Sequence, residues 1–170
     1  MTAFAALLRA VNVGGRKLVM SELKGIAEEL GLGSPKTFIA SGNLLFTSDK
    51  SEPELASLLS EAIGGHMGAE VPVLVRTADE MAEVAASNPF PEEPGNRVVA
   101  MFLENPPPGD ALAGASGVRD ERMALGKREI YIAYGNGMAD SKLKIPAAAK
   151  GTARNMNSVA KMAALMKEME

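Results

Sequence analysis

The sequence predicts an α+β fold made of two ferredoxin-like halves, with mainly antiparallel sheets and helices packed on one face. Two observations lead to this prediction. The elements of the first half follow the order β-α-β-β-α-β, which is the order of the alpha-beta plait. The second half follows the same order without the final strand, as β-α-β-β-α. We therefore expect a first unit with its linking helix at 1–87, a linker at 88–96 and a second unit at 97–170.

The first predicted strand covers residues 3–13, which are apolar on both faces and therefore indicate a buried strand. The Gly14-Gly15 pair ends it. The first helix is predicted to begin at Ser21, because serine is a good N-cap, and to end at Gly31, a residue typical of helix C-termini.

A hairpin follows. Residues 37–40 and 44–47 are predicted strands, and Gly42-Asn43 between them is typical of a two-residue hairpin turn. The next helix opens with a capping box at residues 51–54, where a serine precedes a glutamate by three positions.

The end of that helix and the next strand complete the first half. The glycines at 64–65 are predicted to stop the helix, which leaves His66 in a solvated loop. Residues 71–75 alternate as a strand, and Pro72 within it removes a backbone donor, so the strand belongs at a sheet edge. In the ferredoxin-like order the second and fourth strands are edges, and this strand is the fourth. A second capping box, at residues 77–80, opens another helix.

The second half has a weaker pattern. Residues 97–103 predict a strand, and a short, weak helix is predicted near Ala111. A poorly defined strand at 118–123 and a clear one at 129–134 follow, and the last helix covers 157–170. No final strand is predicted, so this half is expected to have one strand fewer than the first.

The composition excludes several functional classes. The 170-residue chain has a net charge of −3 and 4% aromatic residues, whereas surfaces that bind nucleic acid or anionic membranes are typically basic. It has no cysteine and one histidine, so no zinc site of the usual ligands is expected, and no cofactor is predicted. We expect a cytoplasmic protein, because the start does not resemble a signal peptide and no stretch approaches the ~20 apolar residues of a membrane helix.

Four short motifs resemble a known family. They occupy residues 7–15, 37–43, 141–143 and 152–158. Together they resemble the bacterial family catalogued as domain of unknown function 1697, over nearly the whole chain. The resemblance implies an α+β fold with ferredoxin-like halves and no established activity. The chain departs from the family pattern at Met156, where the pattern has tryptophan, and at Ala40, where it has glutamine.

The polar loops within these motifs have alternative interpretations. Gly14 and Gly15 permit close approach of the backbone to a phosphate, or they form a turn that needs positive φ. Ser41 and Asn43 are explained by hairpin geometry or belong to a site. Arg154 lies beside the start of a helix, which is unfavourable for a cation, so it needs an acidic partner from this chain or from a ligand.

Two hypotheses follow for the function. The first is a site that binds, with turnover left open, a small anionic or nucleotide-like ligand at polar loops where the two halves meet. Its candidate residues are Arg9, Asn12, Gly14, Gly15, Lys17, Ser41, Asn43, Lys142, Arg154, Asn155 and Asn157, with Lys144 on the same expected surface. No catalytic residue is predicted. The second hypothesis is a non-catalytic interaction module that associates with itself, as a homo-oligomer, or with another protein through sheet faces or edge strands.

Overall fold

The structure is a computed structural model, and it describes residues 1–9, 12–13, 16–38, 42–135 and 141–170. For residues 12–13 and 16–17 the description is limited to the backbone. The predicted Gly14-Gly15 turn lies outside the described residues.

The chain forms two compact units. The first unit comprises Met1–Met81 and Met162–Glu170, and the second unit comprises Ala82–Lys161. Each unit contains one four-stranded antiparallel sheet, which confirms the predicted α+β class.

The first unit contains two whole helices and parts of two others, and two-residue strands form a separate ribbon. The elements in chain order are β1 (Thr2–Leu8), β2 (Asn12–Val13), β3 (Arg16–Lys17), α1 (Met20–Glu29), β4 (Gly33–Thr37), β5 (Asn43–Ser48), α2 (Glu52–Met67) and β6 (Val73–Thr77). The next helix, α3 (Ala78–Ala86), begins in this unit and ends in the second.

The sheet of the first unit has the strand order β4-β5-β1-β6. The first and third long strands are therefore central and the second and fourth are edges, as the ferredoxin-like topology requires. One face of this sheet carries Phe4 and Phe46, whose rings stack at 5.8 Å. That face packs against α1 and α2 in a core that includes Leu23, Leu59 and Ile63.

Two helix ends differ from the prediction. Helix α1 begins after Val19, whose side chain makes no capping hydrogen bond, so the predicted Ser21 cap is wrong. Helix α2 continues through the glycines at 64–65 to Met67 and ends at Gly68, which has a φ of 69°. Two glycines inside a helix cost about 1 kcal/mol each. Burial of Ile63 and Met67 offsets this cost, so His66 lies in the last helical turn and the predicted loop is wrong.

Both predicted helix starts are confirmed, and the capping box at Thr77 has both of its hydrogen bonds. The Thr77 amide donates to the Glu80 carboxylate at 2.9 Å, and the Glu80 amide donates to the Thr77 hydroxyl at 3.1 Å. The Ser51 box is longer, with the Glu54 amide 3.4 Å from the serine oxygen. The sequence signature located both helix starts because each is a local pattern of four residues.

The second unit has the same strand order as the first. Its elements are 3-10 turns at Gly95–Arg97, Ala111–Gly114 and Pro146–Ala148, strands β7 (Val98–Phe102), β8 (Arg122–Leu125), β9 (Glu129–Ala133) and β10 (Thr152–Asn155), and the start of α4 (Met156–Met169). The sheet order β10-β7-β9-β8 again places the first and third strands in the centre.

The sequence did not predict β10. This strand pairs with β7 in register from Thr152↔Phe102 to Asn155↔Val99. It lacks the apolar alternation that identifies a strand, and backbone pairing alone defines it. The predicted helix near Ala111 is a single 3-10 turn. The second unit therefore has all four strands, but neither connection within its sheet contains an α-helix among the described residues.

The predicted linker, residues 88–96, lies within the second unit and contacts β8. The Arg122 guanidinium pairs with Glu92 at 2.8 Å and Glu93 at 2.7 Å. Among the helices in the described part of the chain, none has the length and apolar character needed to cross a membrane.

Candidate functional site

A cavity of about 420 Å³ opens on one face of the sheet in the second unit. This volume lies within the range of roughly 300–1,000 Å³ that is usual for small-molecule pockets. The sheet lines one side of it and the segment 143–149 lines the other. The lining residues are Met101, Ile132, Tyr134, Leu143, Lys144, Ile145, Pro146, Ala148 and Ala149.

Strand register places the sheet residues of this cavity on one face. Met101 pairs with Ile130 and Val99 pairs with Ile132. Residues that pair directly across strands point to the same side of a sheet, and alternate residues along a strand share a face. Met101 and Ile132 therefore project from the same face of the sheet. Ile132 also belongs, with Ile130 and Ile145, to the buried core against which Met101 packs.

The opposite side of the cavity is fixed by backbone hydrogen bonds. The Ser116 amide donates to the Lys144 carbonyl at 2.9 Å, and the Lys144 amide donates to the Ser116 carbonyl at the same distance. Gly117 has a φ of 69°, and a Cβ atom there would collide with the Lys142 carbonyl. The Ala148 amide then donates to the Ile145 carbonyl at 2.9 Å, which closes the 3-10 turn.

Two polar side chains line this otherwise apolar cavity. Lys144 is solvent-exposed and is the cationic residue among those that line the cavity. Tyr134 is half-buried, and burial, followed by the negative charge of Glu121, raises the pKa of its hydroxyl above 10.0. The phenol therefore stays neutral at physiological pH and can donate a hydrogen bond. The arrangement suits a ligand with an apolar body and a negative group.

The predicted residues of the second unit occupy different sides of its sheet. Asn155 pairs with Val99 and so lies on the cavity face, but its Oδ1 accepts from the Ser158 amide at 2.9 Å and caps α4. Lys142 is exposed and precedes the lining segment. Asn157 is exposed, and its side chain occupies the position that a Cβ on Gly95 would take.

Arg154 lies on the sheet face opposite the cavity, because it pairs with Ala100 and alternates with Ala153, the partner of Met101. It is 7% exposed. Its guanidinium donates to the Thr152 hydroxyl at 2.8 Å and to the Ala153 carbonyl at 2.9 Å. Burial lowers its pKa to about 10, which still leaves it protonated at neutral pH.

Two of the predicted residues of the first unit, Arg9 and Asn43, lie at the same end of its sheet. The Arg9 amide donates to the Pro72 carbonyl at 3.0 Å, and Asn43 pairs with Leu7 at the end of β1. Asn43 is 1% exposed and its side-chain amide donates to the Phe38 carbonyl at 2.9 Å, so this amide supports the hairpin.

The remaining predicted residues of the first unit are only partly described. Asn12 and Lys17 pair across the β2-β3 ribbon, and their side chains are not described. Gly14, Gly15 and Ser41 lie outside the described residues. Convergence of these polar loops into one site stays a prediction.

Sequence reasoning did not identify the sheet residues of the cavity. Met101, Ile132 and Tyr134 occupy strand-like positions that are typical of an ordinary core. Lys144 was expected near the site because of its position beside Lys142, and this was the available sequence signal. In the described ranges, no three side chains of the usual metal-binding types cluster closely enough to hold an ion.

Comparisons with known proteins identify a family and a structural relative. The family model described as "Protein of unknown function (DUF1697)" matches residues 1–131, which include Met101 and end before Tyr134. The solved structure of conserved bacterial protein SP0830 from Streptococcus pneumoniae is similar, with a TM-score of 0.77 and 25% identity. The match covers 97% of this chain and 98% of that one. No curated protein matches the chain.

Proposed function

The chain belongs to the DUF1697 family of proteins of unknown function, and on that premise we propose that it binds a small organic anion in the cavity of the second unit. The observation that carries the proposal is the cavity's lining, in which Lys144 and Tyr134 are the residues with polar side chains and the other lining residues are apolar. Small-molecule sites typically combine such apolar walls with a few polar groups.

The charge of the lining favours a ligand with one negative group. Lys144 is the single cation among the described residues that line the cavity. A nucleotide with several phosphates would need more positive charge than one ammonium supplies. We therefore narrow the anionic or nucleotide-like class to monoanions such as carboxylates.

The proposal is binding without a named reaction. The described lining residues include no carboxylate, and they offer no nucleophile with an adjacent base. Acid–base chemistry on a bound ligand would require such a pair. The apolar walls and the single ammonium are sufficient for recognition.

Thermal unfolding of the full chain with a panel of organic monoanions tests this proposal. A ligand at 100 times its Kd adds about 2.7 kcal/mol to the free energy of unfolding, which raises Tm by roughly 5–10 °C for a chain of this size. Lys144→Gln removes the cation that lines the cavity. It should weaken the binding of a hit by about 5- to 30-fold.

Lys142→Gln is the matched control, because Lys142 is exposed and does not line the cavity. This control should leave the Kd unchanged. A panel without any shift in Tm would overturn the proposal, and so would equal losses of affinity in the two variants.

Self-association is a second candidate, and the position of β8 favours it. This strand is the last in the sheet order and has one sheet neighbour among the described strands. Leu125 in it is 37% exposed. Edge strands of this kind pair with other chains. Sedimentation analysis of the pure protein would show a dimer if this candidate is correct and a monomer at all concentrations if it is not.

A further inference from the structure

We infer that the anion bound in the second unit is aromatic, so that the cavity selects a flat ring bearing one acidic group over a saturated body of the same size. This inference rests on the proposed function. It specifies the apolar part of the ligand as an aromatic ring, because the charge of Lys144 indicates only that the ligand is an anion.

The side chains that line the cavity are partners that favour an aromatic ring. Met101 brings a thioether, and thioethers make favourable contacts with the edges of aromatic rings. Tyr134 brings its own ring, and aromatic pairs gain from offset or edge-to-face contact beyond the area they bury. A saturated ring buries comparable apolar area but lacks both of these interactions.

The arrangement of the lining also favours a flat ligand. The sheet contributes Met101 and Ile132 on one side, and the segment 143–149 contributes the other. Ile132 and Ile145, one from each side, already belong to the same buried core. The cavity therefore lies between two layers that meet at its base, and a planar body contacts both.

Two polar groups complete the recognition of an aromatic acid. The exposed ammonium of Lys144 supplies charge, and the phenol of Tyr134 supplies a neutral donor. Both residues line the same cavity, and we expect one planar carboxylate to accept from both. Tyr134→Phe keeps the ring and removes this donor, so it separates the two contributions of the residue.

Matched acids test the inference in the full chain. Phenylacetate and cyclohexylacetate carry the same carboxylate, the first on an aromatic ring and the second on a saturated ring. Matched pairs with one ring and with two rings test ligands of different size. The Kd of each pair is measured by titration followed by NMR. The aromatic member should bind about 3- to 10-fold more tightly.

A labelled methionine methyl group provides the local readout. When an aromatic acid binds, the ring current of the acid should shift the Met101 methyl resonance. The Met101→Leu variant lacks this resonance and so assigns it. The same variant should show a smaller preference for aromatic over saturated acids. Met123→Leu is the matched control, because Met123 packs on the same core without lining the cavity. It should leave the preference unchanged.

Each outcome separates the two proposals. Equal Kd values for aromatic and saturated acids, with loss of binding in Lys144→Gln, would overturn the inference and leave the proposed function standing. A preference that survives Met101→Leu and Tyr134→Leu together would overturn the inference too, because this pair of changes removes both the thioether and the ring. Absence of binding by every acid at millimolar concentration would overturn both.

Discussion

Arg154 is a buried cation with two hydrogen bonds inside its own strand. Its guanidinium bonds to the Thr152 hydroxyl and the Ala153 carbonyl on the sheet face away from the cavity. Burial disfavours its charged form and lowers its pKa to about 10. We therefore expect the guanidinium of Arg154 to have a structural role, whereas the sequence left open that it binds a ligand.

We expect Arg154→Ala to lower the free energy of unfolding by about 2–4 kcal/mol, because it leaves buried acceptors without their donor and removes packed volume. The Kd of the organic anion should be unchanged. Denaturant unfolding and ligand titration of the same variant check both parts. Thr152→Val, which removes one acceptor, should cost about 1 kcal/mol. A stable Arg154→Ala variant that no longer binds would contradict this assignment.

The two tyrosines predict a distinctive alkaline titration. Burial, followed by the charge of Glu129, raises the pKa of Tyr131 to about 12, and burial raises that of Tyr134 above 10.0. Between the unfolded and folded pKa values the native state holds more protons than the unfolded state. The contribution of each tyrosine to stability is therefore fully present below pH 10 and falls as the pH rises beyond it.

Near-ultraviolet absorbance of phenolate measures this effect directly, since the chain has two tyrosines and no tryptophan. The folded protein should titrate at higher pH than the denatured chain. Tyr131→Phe isolates Tyr134, whose midpoint should still lie above 10. A midpoint for that variant at the value of the denatured chain would show that Tyr134 is not shielded.

At the scale of elements, the segment that closes the cavity depends on Gly117. Its φ of 69° is costly for other residues, and a Cβ would meet the Lys142 carbonyl. The adjacent Ser116–Lys144 bridge would move with it. We expect Gly117→Ala to destabilise the protein by about 2–4 kcal/mol and to weaken ligand binding.

Gly109→Ala is the control for this change, because nothing lies within 4 Å of a Cβ at that position. It should change the free energy of unfolding by less than about 0.5 kcal/mol. Denaturant unfolding of both variants compares the two glycines. Equal stability of the two variants would mean that the lining segment adapts without cost.

The elements also show which features a sequence can predict. Helix starts at residues 51 and 77 follow from local capping patterns. The predicted edge position of the fourth strand is correct, but Pro72 lies just before β6 and was wrongly placed inside it. Strand β10 was missed because its four residues are identified only by pairing with β7. The predicted helix α2 was too short, because burial of Met67 outweighs the low helix propensity of the two glycines.

At the scale of the whole molecule, the two units share a strand order and differ in what connects the strands. In the first unit, helices α1 and α2 form the connections and pack densely on one sheet face. In the second unit, the corresponding connections contain 3-10 turns at Ala111–Gly114 and Pro146–Ala148. These turns cover less surface than a helix does, and the cavity lies beside the second of them.

This difference explains why the site was only partly predictable. The cavity depends on how the connecting segments pack on the sheet, and no local sequence motif encodes that packing. Lys142 and Lys144 pointed toward the segment that lines the cavity. Met101 and Tyr134 gave no signal, because a methionine or tyrosine in a strand is typical of any core.

The most direct test of the central claim is a chemical-shift map of the backbone amides and methyl groups of the full chain, titrated with an aromatic monoanion. Binding in the cavity predicts saturable shifts at Met101, Ile132 and Tyr134 and along residues 143–149, with the end of the first sheet near Arg9 unchanged. Saturable shifts centred on Arg9 and Asn43, or no saturable shift at all, would contradict it.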